Sequence, residues 1–333
     1  MRICIVGAGA IGGMLGARLA LAGNVVSLIA RGVHLQAIRD NGLTLIGEDG
    51  TQQVAHPDCV TDTIEAAGRQ ELVILAMKAH QVAAVAPQLH ALLDPATPVV
   101  TMQNGIPWWY FHGLGGPLEG TALSSVDPDG AIARHIPVER VIGSVVYPAS
   151  EVIRPGVIRI VEGNRFSLGT PDGTESPAVL AVSGAFKAAG FRAPIIRDIR
   201  SEIWLKVWGN LSFNPISALT HATLEDICLY APTRALAASM MAEAQTIGEK
   251  LGVRFKVSLE KRIAGAQAVG QHKTSMLQDV ENGRPLELQA LVGSVAELGR
   301  ITGTPTPTID AVWALASLLA RNLQTHHAQV RLS

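Results

Sequence analysis

Lys206, Asn210 and Asn214 recur at i, i+4 and i+8 inside a stretch made apolar by Trp204, Leu205, Val207, Trp208, Leu211 and Phe213. On a helix that spacing puts the three polar residues on one side. Two readings of the lysine stay open. Its stem can snorkel to water, leaving the ammonium solvated. Alternatively the ammonium is partly desolvated, with a pKa lowered toward useful acid chemistry. Two asparagines in register are poor helix formers and ask for a reason. Pro215 supplies part of one, because it disfavours helix at Asn214 and marks a bend. Downstream lie Ser275 and, after Asn282-Gly283-Arg284-Pro285, Glu287. Each has a plain alternative: Ser275 as a helix N-cap, Glu287 as a first-turn carboxylate facing the helix dipole.

A second group of candidates sits at the ends of apolar runs. Leu72–Met77 ends at Lys78, and Val99–Met102 ends at Gln103-Asn104-Gly105. Ligands of doubly wound sheets bind outside the carboxyl ends of the strands, where Lys78 and Asn104 would stand. Ile3–Val6 runs into Gly7-Ala8-Gly9-Ala10-Ile11-Gly12, then a helical pattern to Leu21 and a second apolar run, Val25–Ile29. Strand, GxGxxG, helix and strand within one short unit predict a dinucleotide cradle. The first glycine permits the turn, the second admits the pyrophosphate, and the third lets the helix approach the strand. No acidic residue lies between Gly23 and Arg39 to hold a ribose 2′-hydroxyl. Arg31 follows the second run instead, and its guanidinium fits a 2′-phosphate, so the expected cofactor is NADP rather than NAD.

These residues need two kinds of element to position them. Apolar strand signals continue through Val141–Tyr147, Val157–Val161 and Arg165–Leu168, with a hairpin at Leu43–Ile46 and Gln52–Ala55 and a short strand at Ile195-Ile196. After about Asp198 helical periodicity takes over, in Ser201–Tyr230, Pro232–Leu251, Leu286–Gly299 and Ile309–Asn322. The expected organisation is α/β: a Rossmann-type doubly wound sheet with added strands over 1–198, then an all-α substrate and catalytic domain over 199–333. Pro107–Pro137 lacks periodicity and carries Trp108, Trp109, Tyr110 and Phe111 in a row, which suit core anchors or a lid equally.

Composition narrows the function classes. The 333 residues are 48% hydrophobic and 17% charged with net charge −1, which removes the electrostatic case for nonspecific nucleic-acid binding. Cys4, Cys59 and Cys228 have neither disulfide-framework nor zinc spacing, so no metal is expected and a reducing cytoplasm is the default. The apolar N-terminus is interrupted by glycines and Arg18, against a signal peptide, and no other run is long enough for a membrane span. A homodimer through the C-terminal helices stays open, because an apolar helix stripe serves a core as readily as an interface.

The chain resembles the ketopantoate reductases along nearly its whole length. The resemblance rests on GAGAIG at 7–12, Arg31, MKAHQ at 77–81, QNG at 103–105, EIWLKVWGNLSFNP at 202–215 and TSMLQDVENGRPLEL at 274–288. It implies an N-terminal Rossmann domain, a C-terminal helical domain with the active site between them, and reduction of ketopantoate to D-pantoate with NADPH on the route to pantothenate and coenzyme A. Position by position, it implies that Lys206 donates a proton to the keto oxygen. Glu287 takes part in cofactor binding and organises the cleft. Asn210, Asn214 and Ser275 bind substrate, Asn104 lies near nicotinamide and substrate, and Lys78 and Arg31 contact the cofactor. The segment from Pro107 to Arg140 is longer than in shorter members by about twenty residues, a departure that leaves another 2-oxo acid open as substrate. A noncatalytic NADPH sensor is the rival from a different class. It would tolerate loss of the acid, whereas Lys206 and Glu287 are both present.

Overall fold

The computed structural model describes residues 1–330. By internal contacts the chain divides into two compact units: residues 1–103 with 108–199, and residues 104–107 with 200–333.

The first unit is built on a seven-stranded sheet. Its strands are β1 (Arg2–Val6), β2 (Val25–Ile29), β5 (Cys59–Thr61), β6 (Leu72–Leu75), β7 (Val99–Thr101), β8 (Val141–Val146) and β11 (Phe166–Gly169), in the order β11-β8-β7-β6-β1-β2-β5. All neighbours are parallel except β11, which pairs antiparallel with β8. The near-continuous apolar runs of β1, β6 and β7 are what a sheet covered on both faces requires. Strand order reverses between β1 and β6, so the switch point lies where the glycine turn leaves β1. A smaller sheet, β4-β3-β10-β9, comprises β3 (Leu43–Ile46), β4 (Gln52–Ala55), β9 (Ala149–Arg154) and β10 (Val157–Glu162). Helix α1 (Ala10–Leu21) packs against it. A Cβ on Gly13 would stand 2.3 Å from the end of the Ile158 side chain, which would have to move to admit it.

Four more helices complete the unit: α2 (Gly32–Asn41), α3 (Ala79–Val85), α4 (Ala131–His135) and α5 (Pro177–Ala188). The aromatic segment proves to be core and not a lid. Trp109, Tyr110 and Phe111 are fully buried. The Trp109 indole N–H donates to Thr101 Oγ1 at 3.0 Å, and its ring fills the space left by Gly143, where a Cβ would meet it at 2.6 Å. Buried Asp127 accepts from the backbone N–H of Ile132 and Ala133 at the start of α4. The Ile195-Ile196 strand is reduced to a single bridge between Ile195 and Leu168.

The second unit is helical: α6 (Ile199–Thr220), α7 (Leu224–Leu229), α8 (Ala231–Lys250), α9 (Leu259–Ala268), α10 (Ser275–Glu281), α11 (Ser294–Ile301) and α12 (Pro307–Thr325). Pro215 does not end the helix as its chemistry suggests. It lies inside α6, where burial of Leu211, Phe213 and Ile216 outweighs the roughly 3 kcal/mol cost of an interior proline. Trp204 and Trp208 anchor α6, the latter donating to the Met241 carbonyl at 2.7 Å while Phe255 packs against both rings. Residues 104–107, which the sequence reading puts in the first domain, group with this unit for a local reason. The Ile106 N–H donates to the Ala290 carbonyl at 3.0 Å.

Candidate functional site

In the first unit the glycine turn has the shape of a phosphate cradle. Gly7 has φ +107°, and a Cβ there would stand 3.0 Å from the backbone nitrogen of Met77. The N–H groups of Gly7 and Ala8 donate to the Ile29 carbonyl, which fixes the turn against β2. A Cβ on Gly12 would collide with the Gly7 carbonyl oxygen at 2.0 Å. Gly9 is different, since a Cβ there meets nothing within 4 Å. Gly7 and Gly12 are therefore required by the protein's own packing, whereas Gly9 leaves open space over the start of α1. That helix begins at Ala10 with no side-chain cap, so the first-turn N–H groups, with Ile11 among them, are presented as an anion seat. These observations fit a dinucleotide pyrophosphate.

Arg31 is exposed just beyond β2, at the N-cap of α2. Lys78 follows β6 as the N-cap of α3, and its backbone N–H donates to Gln81 Oε1 at 3.2 Å. Two further residues shape this region: His34, which carries no sequence signal, and Gln103, which the QNG segment contains without assigning it a role. His34 Nδ1 accepts the Gly156 N–H at 3.0 Å, so its Nε2–H donates to the Ala8 carbonyl at 2.9 Å. Burial lowers the His34 pKa, the bond to Ala8 opposing the shift, and the neutral ring ties the glycine turn to the β9–β10 turn. Gln103 Nε2 donates to the carbonyls of Leu75 and Met77, binding the ends of β6 and β7 together.

In the second unit, α6 carries Lys206, Asn210 and Asn214 on one continuous helix, with the first two partly buried and Asn214 buried. Lys206 is the perturbed group. Burial pulls its pKa down to about 8, and the Glu287 carboxylate acts in the opposite direction. Of the two sequence readings of this lysine, its partial burial and lowered pKa favour desolvation. Glu287 stands just before the helical turn that leads into α11, and its Oε2 accepts from Asn104 Nδ2 at 3.4 Å. Residues 183 positions apart thus meet within one unit. Ser275 is the exposed first residue of α10 and is not its cap. Thr274 caps the helix, accepting from the Leu277 N–H.

Chemically, the second unit offers a cationic acid of moderated strength, a carboxylate beside it, and neutral amides. That set can protonate an oxygen that gains charge and can hold polar substituents without a second cation. Among the described residues no group of three or more His, Cys, Asp or Glu side chains could hold a metal ion, and no helix is long and apolar enough to cross a membrane.

Residues 3–173 match the family described as ketopantoate reductase PanE/ApbA, and residues 198–320 match its C-terminal counterpart. A 2-dehydropantoate 2-reductase of Mesorhizobium japonicum is 59% identical over 321 residues, covering 96% of this chain and 98% of the relative. The enzyme of the same name from Halobacterium salinarum is 27% identical over 97% of this chain and 100% of its own. A crystal structure from Ralstonia solanacearum MolK2, provisionally named a ketopantoate reductase, is similar with a TM-score of 0.91 and 43% identity, covering 97% of this chain and 98% of that one.

Proposed function

Since the chain belongs to the ketopantoate reductase family, we propose that it is a cytoplasmic enzyme that reduces 2-dehydropantoate to D-pantoate with NADPH. The observation that carries the chemistry is Lys206, lowered to about 8 by burial beside Glu287. An acid with a pKa near ambient pH is mostly protonated and still gives up its proton readily. Lys206 donates that proton to the substrate's keto oxygen as alkoxide charge develops there. Glu287 keeps the ammonium from losing its charge to burial altogether. Asn104, bonded to Glu287, orients the carboxylate and lies close to the reacting carbonyl. Asn210, Asn214 and Ser275 hold the substrate's carboxylate and hydroxyl with neutral groups, which leaves Lys206 the only cation of the set.

NADPH, when bound, supplies the hydride. Gly7 and Ala8 fix the shape of the turn that receives its pyrophosphate by donating to Ile29, and the helix start at Gly9, Ala10, Ile11 and Gly12 offers it backbone N–H groups. Arg31 reads the 2′-phosphate with a planar pair of donors, and Lys78 adds a point charge beyond the carboxyl end of β6.

The test is oxidation of NADPH by purified protein, followed at the absorbance of the reduced nicotinamide. Ketopantoate is compared with other 2-oxo acids, and NADPH with NADH. Fast turnover with ketopantoate and NADPH is the expected result. Turnover with another 2-oxo acid alone would overturn the substrate, equal use of NADH would overturn the role of Arg31, and binding of NADPH without any turnover would favour a sensor.

A further inference from the structure

Ser294 is fully buried and opens α11, and its hydroxyl has no part in the chemistry above. Its Oγ donates to the Ala290 carbonyl at 2.6 Å. A serine bonding back to the carbonyl four residues earlier is common in helices. The unusual feature is the state of that carbonyl. Residues Gln289–Gly293 form a π-turn, and the backbone N–H of Ser294 donates to Gln289, five residues back. The offset diverts from Ala290 the N–H that an α-helix would direct to it. The Ala290 carbonyl accepts instead from the Ser294 hydroxyl and from the Ile106 N–H at 3.0 Å.

Immediately before Ile106, Gly105 has φ +93°, and a Cβ on it would stand 2.0 Å from the Ala290 oxygen. Only glycine admits so close a pass. One residue earlier, Asn104 reaches Glu287, three positions before Ala290. Residues 104–106 therefore meet the stretch 287–290 at two points, one backbone bond and one side-chain bond. The backbone bond exists because the turn frees a carbonyl for it.

We propose that Ser294 and Gly105 are positioning residues that act through the Ala290 carbonyl to hold Asn104 where its amide meets Glu287. The inference rests on the role proposed above for Asn104 and Glu287. In Ser294→Ala the Ala290 carbonyl keeps Ile106 as a donor, so the buried oxygen is not orphaned and the variant folds.

The experiment is a double-mutant cycle in the full chain, with Ser294→Ala made alone and in an Asn104→Ala background. The readouts are the thermal midpoint and the kcat and KM for ketopantoate at saturating NADPH. Ser294→Ala is expected to lower kcat about tenfold, the worth of roughly one lost hydrogen bond, with KM little changed. In the Asn104→Ala background it is expected to cost nothing further, because its effect passes through Asn104. Ser294→Cys, with similar volume and a weaker donor, should recover part of the loss, and it replaces the alanine variant if that one does not fold. Equal losses in both backgrounds would overturn the proposal. If wild-type protein does not reduce ketopantoate, the proposed function fails by itself. The side-chain amide resonances of Asn104 then decide this inference: Ser294→Ala should shift them as Glu287→Gln does, and unmoved resonances would overturn it.

Discussion

Around the glycine turn of the first unit, the groups offered to a ligand are backbone N–H groups and the space over Gly9 where no Cβ stands. Along α6 of the second unit they are side chains, Lys206, Asn210 and Asn214, with Glu287 acting on Lys206 and Asn104 bonded to Glu287. The first region is specified by what its residues lack. The second is specified by register and burial, and its chemistry resides in one shifted ammonium. The two regions should therefore fail differently. Damage to the first should appear as lost binding or lost stability, and damage to the second as lost turnover in a protein that still folds and binds.

The largest test of that contrast is Lys206→Ala. Turnover should fall by ~10²–10⁴-fold while NADPH affinity, measured by fluorescence titration, stays within a few-fold. In the wild type, reduction needs the protonated amine, so kcat/KM should be flat below about pH 8 and fall about tenfold per pH unit above it. A profile flat through pH 9 would take the acid role from Lys206.

Next comes a pair within the glycine turn. Gly12→Ala drives a methyl into the Gly7 carbonyl and should destabilise the fold by about 3 kcal/mol, read by denaturant titration. Gly9→Ala meets nothing in the protein, so it should leave stability nearly unchanged and weaken NADPH about tenfold by occupying the pyrophosphate's space. Equal loss of stability in both would erase the distinction between a packing glycine and a cradle glycine.

These glycines were legible in the sequence because the motif is local, and so was the helical face, because Lys206, Asn210 and Asn214 repeat within one element. The doubly wound sheet could be read from the apolar runs of β1, β2, β6 and β7. Strand β9 could not, since none of its residues is buried and they show no alternation, and α9 buries only Ile263 and Ala266 of its ten residues. Nothing local announces that Asn104 reaches Glu287, because that meeting depends on a π-turn, and a one-residue offset in a helix leaves no periodic trace. Pro215 misleads for a related reason: local chemistry favours a bend, and tertiary packing overrides it.

Smaller effects sharpen the first region further. Arg31→Ala should weaken NADPH by about ten- to hundredfold and leave NADH unchanged, as expected for loss of a charge-assisted contact to the 2′-phosphate. Equal weakening of both cofactors would make Arg31 a general contact. The smallest effect concerns His34. Its pKa is lowered from 6.5 in the fold, so the unfolded chain binds more protons below that pH. The contribution of neutral His34 to stability is fully present above pH 6.5 and is lost as pH falls toward the lowered folded value. The melting temperature of His34→Gln should accordingly depend less on pH below 6.5 than that of the wild type.

The assignment of residues 104–107 to the helical unit has a consequence for how the protein is made. The chain enters that unit briefly, returns to finish the sheet, and comes back at Arg200. During synthesis the Asn104–Pro107 segment leaves the ribosome long before the Ala290 carbonyl that receives it exists. Domains usually fold in order as they emerge, but here a piece of the second is made in the middle of the first and must wait for the rest of its unit. A fragment beginning at Arg200 would lack the Ile106 N–H that docks on Ala290. The helical half is thus one domain in space and two segments in the gene, and it cannot be transplanted whole by cutting the chain once.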